Sequence, residues 1–121
     1  MLAIGVGGAL GSILRYMLAT ATHRIVSTTF PIGTLIVNVL GSIAIGVLYV
    51  WLIERFGARP EVRAFLIVGV LGGFTTFSSF SLETVTLLMQ ASYGRAALNV
   101  AASVLLCLLG TLAGIALGRQ I

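Results

Sequence analysis

Apolar residues gather into four long stretches, at about residues 2–22, 31–53, 61–90 and 96–118, with little chain between them. Each approaches or exceeds the ~20 residues with which an α-helix crosses the hydrocarbon of a bilayer. A water-soluble fold is excluded. The chain has 121 residues and is 59% hydrophobic, and a small domain buries only part of its surface. The expected fold is an all-α membrane protein of four transmembrane helices. Residues 1–121 form a single unit, with no soluble domain and no linker to divide it.

The punctuation agrees with that reading. Thr20-Ala21-Thr22-His23-Arg24 closes the first stretch, and Pro31 suits the start of the second. The most charged run, Glu54 to Arg63, makes a short loop in which Pro60 and Glu61 open the third helix. Tyr93-Gly94-Arg95 turns the chain into the fourth. No basic segment precedes the first apolar run, so residues 1–22 are expected to remain as a helix and not to be cleaved as a signal peptide. The single cysteine, Cys107, reads as a small buried hydrophobe. His23 has no neighbouring ligand types and is expected in solvent at a helix end. The net charge of +4 comes from arginines scattered at helix ends, which excludes a nucleic-acid partner.

Ten residues in the third stretch break the apolar pattern: Gly72-Gly73-Phe74-Thr75-Thr76-Phe77-Ser78-Ser79-Phe80-Ser81. Hydrocarbon offers no partner to hydroxyls or free backbone groups, so this patch must face protein, water or an ion. Phenylalanine ring edges are weakly positive, and rings interleaved with hydroxyl donors suggest an anion path without a full charge. The two glycines together cost about 2 kcal/mol of helix propensity against alanine. They predict a mid-span break in the third helix, with free carbonyls where its first half ends. Such a negative helix end suits a cation.

Small and polar residues also line up. Gly7/Gly11, Ser42/Gly46, Gly69/Gly73 and Gly110/Gly114/Gly118 follow the spacing that lets helix backbones approach closely in lipid. At ~100° per residue, Asn99, Ser103, Cys107, Gly110, Gly114 and Gly118 share one arc of the fourth helix. Thr34, Asn38, Gly41 and Ser42 share one on the second, and Phe77, Phe80, Ser81 and Thr84 share one on the third. Three such stripes suit either helix association or a lined conduit, and together with Asn38 and the Phe–hydroxyl cluster they favour the conduit. Four helices put Arg55, Arg59, Arg63 and Arg119 on one side, against Arg24 and Arg95 on the other, joined by Arg15 if it reaches that face. A bias this weak permits insertion in both directions, and so an antiparallel dimer.

At these residues the chain resembles a known family. Gly72 to Thr84 is similar to the third-helix motif of the Fluc (CrcB) fluoride channels. Gly33-Thr34-Leu35-Ile36-Val37-Asn38-Val39-Leu40-Gly41 resembles their second-helix motif, and Gly7 to Tyr16 their first. The resemblance runs the length of the chain and implies a passive fluoride channel, not an enzyme, in a bacterial inner membrane. It implies a dual-topology homodimer with two pores. Asn38, Phe77 and Phe80 would line the pore, with Ser78, Thr84, Ser103 and Thr111 at or near its hydroxyl positions. Arg15 would stand at the vestibule. Backbone carbonyls of Gly72 and Thr75 would hold a structural sodium ion at the dimer centre. The fourth helix departs from the family pattern, with Asn99 and Cys107 where members often carry Tyr and Ser.

The implied chemistry is sound. Fluoride is small and tightly hydrated, so a pore must replace its water with close donors, weak enough to release it. Two other readings remain open from the sequence. A proton-coupled small-molecule exporter of the four-helix dual-topology type would need a membrane carboxylate, and Glu83 is the sole candidate. A structural subunit would use the stripes for assembly alone.

Overall fold

All four stretches are helical in the computed structural model, which describes residues 1–121. They are α1 (Leu2–Ile25), α2 (Ile32–Arg55), α3 (Pro60–Met89) and α4 (Tyr93–Gln120). Each is long and apolar enough to cross a membrane, and the chain is an integral membrane protein. The helices extend beyond the purely apolar stretches by a few residues, because polar side chains such as Arg24 and Arg95 continue the helical winding past the hydrocarbon. The last turns of α2, Val50–Arg55, and the stretch Ala64–Leu71 of α3 are wound as wider π-helix.

Two helix pairs organise the molecule: α1 lies against the first half of α3, and α2 against α4. Glycines set both distances. A Cβ at Gly7 would stand 2.5 Å from the Phe65 carbonyl oxygen, and one at Gly73 would stand 2.5 Å from that of Gly8. Across the other pair, a Cβ at Gly114 would strike the Ile43 carbonyl, and one at Gly46 that of Thr111. The small-residue spacing in the sequence therefore marks true backbone crossings. Gly114→Leu is expected to force α2 and α4 apart at a cost of about 1–3 kcal/mol, the usual penalty of overpacking. Gly5→Leu, at a site with nothing within 4 Å, is the matched control. Thermal unfolding in detergent should separate the two.

Polar bonds finish the α2–α4 pair at one end. Trp51 Nε1 donates to the Gly118 carbonyl at 3.3 Å, and Arg55 Nη2 donates to that of Arg119 at 2.7 Å. These satisfy carbonyls that the end of α4 would otherwise leave free. Arg119 meets Glu54 through two bonds, of 2.9 and 3.3 Å. The pair is exposed and worth little by itself. After α3 the chain turns at Ala91, whose φ of 57° is left-handed. Ser92 N donates to Leu87 O and Ala91 N to Leu88 O, closing the helix with the paired bonds of a Schellman motif.

The break in α3 is present, and it falls just beyond the glycines. Gly72–Phe74 is still α-helical, while Thr75 (φ −79°, ψ 156°) and Thr76 (φ −150°, ψ 115°) are extended. Helix resumes over Phe77–Met89. Gly73 is needed for its close approach to Gly8, and the threonines provide the bonds that end one half and begin the other. Both the Thr75 amide and its hydroxyl donate to Leu71 O, each at 2.9 Å, which closes the first half. Thr76 Oγ1 accepts from Ser79 N at 3.2 Å and caps the second.

Candidate functional site

Asn38 holds the break open. Its Oδ1 accepts from the Thr76 amide at 2.8 Å, and its Nδ2 donates to the Thr76 carbonyl at 3.0 Å. One side-chain amide thus replaces the helical ladder for both backbone groups of Thr76. The Thr76 amide would have closed a turn on Gly72 O, and with that amide turned to Asn38 the Gly72 carbonyl loses its helical partner. Of the two Nδ2 hydrogens one is committed to Thr76, and the second remains available.

Beside this junction lies an open cavity of about 480 Å³ between α2, α3 and α4. It brings together Asn38, Gly72, Thr75, Phe77, Phe80 and Ser103, six of the residues singled out in the sequence. Phe77 is 78% exposed, so its ring is no part of the core of one chain. The Phe77 and Phe80 centroids are 5.3 Å apart with the planes tilted by 48°. Ser103 is buried among α-helices yet lines the cavity.

Four sequence candidates lie off this lining. Ser78 is exposed next to the break, its Oγ 3.3 Å from Thr76 Oγ1. Thr84 donates its proton to Phe80 O at 2.8 Å and accepts from Asn99 Nδ2 at 2.9 Å. Thr111 is half-buried at the α2–α4 crossing, where its carbonyl faces Gly46. Arg15 is half-buried on α1. Conversely, the lining includes Ser42, Thr76 and Cys107, none of them a sequence candidate for the pore. Ser42 shares the α2 stripe with Asn38, which was the available signal. Glu83 is away from the cavity: Thr34 Oγ1 donates to its Oε1 at 2.7 Å, and its Oε2 is buried without a partner.

The cavity can serve two chemistries. Gly72 and Thr75 line it where a half-helix ends, and backbone carbonyls at such an end are a type of ligand that suits a hard cation. No Cβ occupies the approach at Gly72, where even a built one would find its nearest neighbour at 3.8 Å. On the same lining, the free Asn38 N–H, hydroxyls and two aromatic rings form a surface suited to an anion.

Comparison with known proteins gives the same direction. The profile of the family described as CrcB-like protein, Camphor Resistance (CrcB), matches residues 2–115. A Geobacter sulfurreducens protein named Fluoride-specific ion channel FluC is 47% identical over 121 residues, spanning 100% of this chain and 98% of its own. Proteins of the same name from Rhizobium meliloti (47% over 119 residues, 98% of this chain and 95% of that one) and Agrobacterium fabrum (44% over 118 residues, 98% and 94%) are similar. With a profile that matches nearly end to end, and relatives this similar over their full lengths, the chain belongs to the CrcB family.

Proposed function

We propose that the chain is the subunit of a fluoride-selective passive channel that exports fluoride across the bacterial inner membrane, as an antiparallel homodimer with two pores. Its family membership and the names of its relatives support this reading. The observation that carries it is the cavity, where Asn38, Phe77, Phe80 and Ser103 converge without any charged side chain. Fluoride gives up tightly held water only to several close donors. Asn38 has one N–H left for it, Ser103 and Ser42 have hydroxyls, and the ring edges of Phe77 and Phe80 add diffuse attraction. A lysine or arginine there would hold the ion too firmly for rapid release.

The open cavity supports the dimer. A groove that carries Asn38, Ser103 and the interrupted backbone of α3 is better covered by protein than by lipid, which leaves polar groups without partners. A second copy related by a two-fold axis in the membrane plane covers it with the same surface. In that assembly the Gly72 and Thr75 carbonyls of both subunits would hold sodium, which would supply positive charge to join two negative helix ends.

The proton-coupled exporter reading finds no support at the site, since no carboxylate lines the cavity. Purified protein in liposomes loaded with fluoride tests the proposal. Efflux should be passive, fluoride-selective and indifferent to a proton gradient, and thorough replacement of sodium should abolish it. Efflux that needs a proton gradient, or no efflux at all, would overturn the channel reading. Full flux from protein shown to contain no sodium would remove the ion from it.

A further inference from the structure

We infer that Asn99 is a positioning residue for the pore: through Thr84 it sets the roll of the second half of α3, and so the direction in which Phe80 points. The inference rests on the channel reading above. It starts from the consequence of the break. Two extended residues, Thr75 and Thr76, separate Phe77–Met89 from the helix before it, so the helical ladder no longer fixes how this segment turns about its own axis. Side-chain bonds to neighbouring helices contribute, among them the bond of Thr34 on α2 to Glu83.

Asn99 makes such a bond from α4. It is 2% exposed, and its Nδ2 donates to Thr84 Oγ1 at 2.9 Å. The Thr84 hydroxyl passes its own proton to Phe80 O at 2.8 Å. Thr84 is thus held as an acceptor from α4 and a donor to the turn that carries Phe80. Residues four apart share a helix face, so fixing Thr84 fixes the side of the helix from which the Phe80 ring projects. The geometry also defines what Thr84 does. Its only proton is engaged, so it contributes to the path by orientation and not as a donor to the anion. A buried amide whose hydrogen bond goes to a hydroxyl is a feature of this chain's own residues.

The test is a set of variants in the liposome assay, with dimer recovery measured by size-exclusion chromatography. Asn99→Leu and Thr84→Val should each lower fluoride flux about tenfold, the worth of one hydrogen bond. The double variant should lose about as much as either alone, because Asn99 reaches the turn of Phe80 only through Thr84. Thr84→Ser, which retains both bonds, should conduct better than Thr84→Val. In a Phe80→Ile background, Asn99→Leu should cause no further loss, an outcome that simple destabilisation would not give. Multiplied losses in the double variant or in the Phe80→Ile background, or undiminished flux through Asn99→Leu, would overturn the inference. So would loss of the dimer in Asn99→Leu matched by equal loss in Thr84→Ser. Absence of flux from the unaltered protein would instead refute the channel reading itself.

Discussion

Phe77→Ile and Phe80→Ile are each expected to lower fluoride flux at least about tenfold while the protein still folds and dimerises. The argument turns on what each ring does besides filling space. Phe77 is 78% exposed in the single chain, and both rings line the cavity. Were they packing alone, a volume-conserving swap to an aliphatic residue would cost about 1 kcal/mol and leave transport intact. An aliphatic side chain keeps the bulk but has no positive ring edge, so a loss confined to flux identifies the rings as part of the path. The two rings also touch, at 5.3 Å between centroids. Changing one therefore alters the setting of the other, and the double variant should lose less than the product of the single losses. Normal flux through both single variants would refute a pore lined by these rings.

The second large effect belongs to Asn38, and it has a different character. Asn38→Ala deprives both the amide and the carbonyl of the buried Thr76 of their partner. Each unsatisfied group costs about 1–3 kcal/mol, so the variant should lose about 2–6 kcal/mol of stability as well as a donor to the ion. Recovery of folded dimer should drop, whereas the phenylalanine variants should purify normally. Asn38→Asp sharpens the contrast, since it keeps the acceptor for Thr76 N and removes the donor for Thr76 O. Asn38→Ala protein that is as stable as the parent would show that the break does not depend on this side chain.

The four helices were legible in the sequence because hydrophobic length is a local property. The stripe on α4 was legible for the same reason: Asn99, Ser103, Gly110, Gly114 and Gly118 are buried, whereas Cys107, expected with them, is half-buried because it faces the open cavity. The break in α3 was visible in composition but displaced in detail. Gly72 and Gly73 were expected to mark the break itself, whereas Gly73 serves the crossing with Gly8, a close approach that its spacing from Gly69 had signalled. The role of Asn38 in holding Thr76 was hidden, because its partner is a backbone 38 residues away. The π-helical winding of Ala64–Leu71 left no trace in a run of apolar residues. Of the pore candidates, those on the cavity came from three stripes that do converge: Asn38 on α2, Phe77 and Phe80 on α3, and Ser103 on α4. Thr84 was found by its position, yet its engagement with Asn99 and Phe80 depends on side-chain geometry that spacing does not reveal.

The pairing of Asn38 with Thr76 also bears on biosynthesis. Chain order places α2 ahead of α3, so a ribosome delivers Asn38 to the membrane before the segment that needs it. When the interrupted middle of α3 leaves the translocation channel, the amide that accepts its exposed peptide is already in the bilayer. The interrupted backbone of α3 therefore need not wait in lipid for a second subunit to arrive. A kinked helix that would insert poorly by itself becomes affordable as the third of the series. Succession along the chain here acts as a chaperone.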